Sequence, residues 1–173
     1  MKLITYSTLL FLISISSYSQ TILKNYKIGH SFDLSIPDYM SRTVGLNESA
    51  AVQYKNEVKD VYSFVIEDSK EELLLADLNF TSINEFYENF IKDFAKDEKS
   101  REVSKPIETK KNNINFIEAD LTYLDSEATV QIYYLLGIVE TKTSFYKIIS
   151  WTAAESKDKF KEDFRKILYS LKD

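Results

Sequence analysis

The chain has 173 residues, a formal net charge of −5 and no cysteine. The acidic balance excludes the clustered Lys and Arg that a phosphate backbone demands, so nucleic acid is not an expected partner. The lack of cysteine excludes a disulfide framework and thiolate chemistry, and stability must come from a core that 12 Tyr and 11 Phe can fill.

The N-terminus has a distinct pattern. Met1-Lys2 is a short positive start, Leu3 to Ile15 is mostly apolar, and Ser17-Tyr18-Ser19 places small residues around a larger one. These are the three parts of a secretory signal peptide, and the apolar run is too short for a bilayer span, which takes about 20 residues. The expectation is a signal peptide over 1–19, cleavage near Ser19, and one domain over 20–173, soluble in the periplasm or outside the cell. Without a cysteine no lipid anchor is expected, and no membrane span is expected in the mature chain. Two prolines, three glycines and no linker-like tract favour a single domain.

Phe32, Leu34 and Ile36 alternate with Asp33 and Ser35 as in a half-buried strand, which Pro37 stops. The stretch DYMSRTVGLNES, Asp38 to Ser49, reads as a loop. Ala51 to Tyr54 and Val61 to Ile66 read as strands, the second with Val61 and Val65 on one face and Tyr62, Phe64 and Ile66 on the other. Ser69-Lys70-Glu71-Glu72 has the form of a capping box and starts a short helix. Ser82-Ile83-Asn84-Glu85 is a second capping box, followed by Phe86, Phe90, Ile91 and Phe94 on one helical stripe.

From Ile114 to Trp151 the period returns to two. Phe116 to Leu124, Val130 to Val139 and Phe145 to Trp151 predict three long strands joined by turns at Asp125-Ser126-Glu127 and Thr141-Lys142-Thr143. The middle run is apolar on both faces, which places it inside a sheet covered on both sides. A last helix is expected from Ser156, with Phe160, Phe164, Ile167, Leu168 and Leu171 along one stripe. These elements predict an α+β fold: a three-layer α/β/α sandwich with a mainly antiparallel sheet, an inserted helix pair and a C-terminal helix.

Few residues offer chemistry. His30 is the single histidine, and with no cysteine it leaves neither a zinc site of the usual composition nor a nucleophile pair; no Gly-rich phosphate cradle is present either. No cofactor or metal is expected. Glu118 and Asp120 lie two apart on a strand and would suit a general acid–base pair or a hard-cation site, against the simpler reading of a wet sheet face. Tyr133 and Trp151 fit core packing better than a pocket wall. Trp151, just before the last helix, is expected to support that helix on the sheet, at a cost of about 3–5 kcal/mol for Trp151→Ala if it is core. In the loop, Tyr39, Met40, Val44 and Leu46 form a candidate interaction surface, since Met and Tyr suit contacts.

The order of elements carries a resemblance. An early strand ending in Ile36-Pro37, an amphipathic helix over Ser82 to Lys96, two long meander strands and Trp151 feeding KDKFKEDFRKILYSLK resemble the PsbP-like superfold, which includes PsbP and the periplasmic DcrB-type proteins. The likeness covers about residues 25–172. It implies a binding or assembly module without shared catalytic residues. The Lys-, Ile-, Asn- and Tyr-rich usage is similar to that of exported Bacteroidetes proteins.

The expected function is therefore an exported, non-catalytic binding module of the periplasm or cell envelope, with a protein or envelope component as partner and an immunity-type protein as one variant. Two alternatives stay open: a hydrolase or metal-dependent enzyme using Glu118 and Asp120, and a carrier of a small apolar ligand.

Overall fold

The computed structural model describes residues 21–29 and 31–173; the expected signal peptide and His30 lie outside them. In chain order the strands are β1 (Leu23–Ile28), β2 (Phe32–Pro37), β3 (Ser41–Thr43), β4 (Val52–Asn56) and β5 (Val61–Ser69), then β6 (Lys99–Val103), β7 (Ile107–Lys111), β8 (Ile114–Asp125), β9 (Val130–Glu140) and β10 (Ser144–Ala153). Helices α1 (Lys70–Leu75) and α2 (Ile83–Asp93) fall between β5 and β6, and α3 (Lys157–Leu168) follows β10.

An eight-stranded antiparallel sheet runs β3-β4-β5-β10-β9-β8-β6, with β7 also paired to β8; β1 and β2 form a separate hairpin. The two-sided apolar pattern of β9 puts it in the middle, between β8 and β10. Tyr133, Leu135 and Val139 face one side with Tyr146 and Ile148, and α3 and the β1–β2 hairpin cover them through Phe160, Phe164, Ile167, Phe32 and Leu34. Ile117, Ala119, Ile138 and Phe145 face the other side, under Ile83, Phe86 and Tyr87 of α2. The structure is the α+β, three-layer arrangement read from the periodicity, with the hairpin sharing the α3 layer.

The helix starts differ in detail from their sequence signatures. Ser82 Oγ accepts from the Glu85 N–H at 3.2 Å, but the Glu85 carboxylate reaches Thr81, one residue earlier, and accepts from its N–H and hydroxyl at 2.7 and 2.9 Å. Ser156 sits at the start of α3 without a side-chain cap, because a 3₁₀ turn over Ala154–Ser156 leads the chain in.

Trp151 faces the α2 side, not α3. With a period of two it shares the face of Phe145 and Ile149, whereas α3 lies over Tyr146 and Ile148. Half-buried, it stacks between Tyr62 (5.1 Å between centroids, 16°) and Tyr134 (5.7 Å, 22°), and Tyr134 stacks on Tyr123 (5.6 Å). Rings this close to parallel spend their faces on each other across β5, β10, β9 and β8, so the ladder ties strands together rather than offering a flat platform.

Candidate functional site

The two strand acids on β8 lie beneath α3. Lys157, Lys161, Arg165 and Tyr169 recur every four residues, so they line one edge of the helix and its C-terminal extension above Glu118 and Asp120. Glu118 is 3% exposed, and its Oε2 accepts from Arg165 Nε and from the Tyr169 hydroxyl, each at 3.0 Å. Asp120 Oδ2 accepts from Lys161 Nζ at 2.7 Å and lies 2.9 Å from Lys157 Nζ, while Oδ1 accepts from the Tyr133 hydroxyl at 2.8 Å. Burial pushes the Asp120 carboxyl up, but the hydrogen bonds from Lys161, Lys157 and Tyr133 outweigh it and hold the group below the ordinary carboxylate value. Burial and the neighbouring Asp120 raise the Tyr133 phenol, which keeps it a hydrogen-bond donor. These pairings clamp α3 to the sheet and engage both carboxylates in that contact. Among the described residues, no cluster of three or more His, Asp or Glu is placed to hold a metal ion.

The four loop residues are not brought together. Met40 is 3% exposed in the α3-side core. Tyr39 packs beside it on Phe160 and donates its hydroxyl to the buried Asp163 at 2.9 Å. Leu46 packs on the opposite side of the sheet, near Phe64 and Trp151. Val44 alone stands out in solvent, at 85%. The short strand β3 divides the segment: Tyr39 and Met40 precede it in one layer, and Leu46 follows it in the other, past a turn at Gly45 with φ 87°. Tyr39→Phe, which deprives Asp163 of a donor, is expected to cost about 1–2 kcal/mol in urea unfolding.

A different apolar surface is open. It is built on α1, whose six residues include three consecutive leucines; at 3.6 residues per turn, Leu73, Leu74 and Leu75 cannot all face the sheet. Ser69 Oγ accepts the Glu72 N–H at the N-terminus. At the other end, the Leu78 N–H donates to Leu73 O (2.8 Å) and the Asp77 N–H to Leu74 O (3.1 Å), with Asp77 in the left-handed region at φ 58°. This is a Schellman closure, which turns the chain so that Leu78 returns beside Leu73. Leu74, Leu75 and Leu78 remain 57%, 82% and 47% exposed.

Between α1 and α2 runs a cleft of about 320 Å³, walled by Leu73, Leu78, Phe80, Phe86, Phe90 and Phe94. Arg101 on β6 fixes the α2 wall by donating to the helix-end carbonyls of Ile91 (2.7 Å) and Phe94 (3.0 Å). Phe86 stacks on Phe145 of β10 at 4.4 Å, and Phe80 meets Phe86 edge-on at 5.2 Å. The cleft also contains an ion pair, Lys147 Nζ with Asp68 Oδ2 at 2.8 Å. A second recess of about 100 Å³ lies against Lys70, Leu74 and Phe145 and shares the wall of Leu73, Leu78 and Phe80. Singly exposed apolar residues are ordinary on a surface, whereas several leucines around a phenylalanine-lined cleft mark a contact site.

A larger groove, about 440 Å³, lies between α3, β7 and the β1–β2 hairpin and is lined by Lys111, Arg165, Lys166, Tyr169 and Lys172. Its central cations are already engaged: Arg165 with Glu118 and Glu162, Lys166 with Asp163. The groove's charge therefore serves the helix–sheet contact first.

No family model and no curated protein matches the chain. Solved structures do. The cyanobacterial PsbP, CyanoP, from Synechocystis sp. PCC 6803 matches with a TM-score of 0.61 at 15% identity, over 93% of this chain and 98% of that one. The fold is PsbP-like. LpqN, a protein involved in cell envelope biogenesis of Mycobacterium tuberculosis, shares this PsbP-like fold with a TM-score of 0.58 at 9% identity, over 86% of this chain and 90% of that one. PA94 from Pseudomonas aeruginosa matches at 0.50 and 9% identity, over 83% and 91%. At these identities the likeness is one of architecture.

Proposed function

We propose that this protein is an exported, non-catalytic binding module of the periplasm or cell envelope, and that it holds its partner on the α1–α2 face. The observation that carries this reading is the exposure of Leu74, Leu75 and Leu78 around a phenylalanine-lined cleft on an otherwise well-filled domain. Leaving such leucines in water forgoes about 1.5–3 kcal/mol of transfer free energy for each fully buried side chain, which a partner recovers. Export is supported by the N-terminal signal pattern, and among the described residues no helix is long and apolar enough to cross a membrane. The envelope-biogenesis role of LpqN fits the same setting.

Two observations weigh against the alternatives. The carboxylates a hydrolase would need are bound to Arg165, Tyr169, Lys157, Lys161 and Tyr133. A carrier site between the sheet and α3 would need space there, yet Phe164, Ile167, Leu168 and Tyr133 fill that interface at 0% exposure.

The test is capture from an envelope fraction by the mature chain from Gln20, beside its Leu74→Ser/Leu75→Ser variant. Both side chains are exposed, so thermal stability should match that of the parent. The expected result is one or more reproducible partners lost only with the variant. Capture that persists unchanged in the variant would contradict the reading.

A further inference from the structure

The face around α1 carries unbalanced charge. Glu71, Glu72 and Asp77 are exposed, and among the described residues none of them is in an ion pair. Three nearby cations are paired. Lys70 Nζ is 2.9 Å from Glu140 Oε1, Lys147 is held by Asp68, and Lys96 Nζ is 3.1 Å from Asp93 Oδ1. Lys92 on α2 and Lys142, in the turn whose Thr143 carbonyl accepts from the Lys70 N–H, are exposed outside such pairs. The apolar surface thus has a negative edge along α1, made by Glu71, Glu72 and Asp77.

Resting on the reading of this face as the binding surface, we propose that its occupant is a basic amphipathic helix of a partner protein, with apolar side chains in the two recesses beside α1 and Lys or Arg over the acidic edge. The recesses share the wall of Leu73, Leu78 and Phe80, an arrangement that suits apolar residues repeated one helical turn apart on a single stripe. Opposite charges at that edge raise the association rate and fix the register, whereas an acidic partner meets repulsion. The same argument disfavours two other occupants. An anionic bilayer surface would be repelled by the acidic edge. A second copy related by a twofold axis would bring the same face to itself, acid against acid.

The probe is a fluorescent 18-residue helical peptide of Leu and Lys, titrated into the mature protein by anisotropy, beside peptides in which Gln or Glu replaces each Lys. We expect the Lys peptide to bind at least about tenfold more tightly than the Gln peptide, and to lose about tenfold when NaCl is raised from about 50 to about 300 mM. Glu71→Gln/Glu72→Gln/Asp77→Asn should remove most of that advantage. Leu74→Ser/Leu75→Ser should abolish binding of the Lys and Gln peptides alike.

Equal binding of the Lys and Gln peptides, both dependent on Leu74 and Leu75, would overturn the basic partner while the binding face stands. Peptide binding indifferent to Leu74 and Leu75 would overturn both. Leucine-dependent binding to anionic phosphatidylglycerol vesicles, or a leucine-dependent dimer in sedimentation, would replace the basic helix with a membrane or a second copy.

Discussion

Gly137→Val is expected to destabilise the protein by about 3 kcal/mol, lowering its melting temperature by about 6–12 °C for a domain of this size. Gly137 lies in β9, an interior strand, on the face that receives α3. A Cβ built there would overlap Leu168 Cδ1, and would lie 3.1 Å from Cδ2 and 3.2 Å from the carbonyl oxygen of Ile148. Leu168 is fully buried and cannot swing into solvent. Either the helix lifts from the sheet or the leucine leaves its rotamer, and each route costs packing that Phe164 and Ile167 share. Gly137→Ala should fall between parent and valine variant when unfolding is followed by circular dichroism. A valine variant as stable as the parent would mean that α3 is not seated this closely.

The second large effect concerns the acids beneath that helix. Arg165→Met is expected to cost about 2–3 kcal/mol, because it leaves Glu118 as a charge at 3% exposure with the Tyr169 hydroxyl as its remaining partner. The figure is taken below that for a fully buried pair because the Arg165 side chain is 38% exposed, so water already screens the interaction. Glu118→Gln should cost less, since the amide oxygen still accepts from Tyr169 while no buried charge remains. In the double variant Glu118→Gln/Arg165→Met most of the loss should return, because the cost of the single arginine variant is chiefly an orphaned charge. Urea unfolding of the four proteins checks this. Strictly additive losses would contradict the ion pair.

How much of this was legible in the residues depends on how far apart the partners lie. The faces of β5, β8, β9 and β10 follow from alternation, because a strand apolar on both sides has one place in a sheet. The hairpin strand β1, LKNYKI, and the edge strands β6 and β7 are mostly exposed and polar, so period-two reasoning has little to hold there. The order of elements was enough to suggest the PsbP-like architecture, which CyanoP shares.

The candidate site was harder to see. Glu118 looked free because its partner Arg165 stands 47 residues away, and Asp120 because Lys161 stands 41 away. The signal for them was the four-residue spacing of Lys157, Lys161, Arg165 and Tyr169, a polar stripe beside the apolar one that seats the helix on the sheet. The loop from Asp38 to Ser49 looked like one apolar surface, but Tyr39 and Met40, before β3, lie in one layer and Leu46, past the Gly45 turn, lies in the other. The α1 surface did leave a trace, Leu73-Leu74-Leu75-Ala76-Asp77-Leu78, which holds more leucine than a short helix can bury on one side.

The measurement that tests the central claim most directly is site-specific photo-crosslinking of the mature protein in its own envelope fraction. A photoreactive residue replaces Leu75 in one sample and Val44, similarly exposed but not among the residues that line the cleft, in another. A defined adduct of one mass from position 75, absent from position 44, is the predicted result. Adducts from both positions alike, or from position 44 alone, would contradict the α1–α2 face as the place where the partner binds.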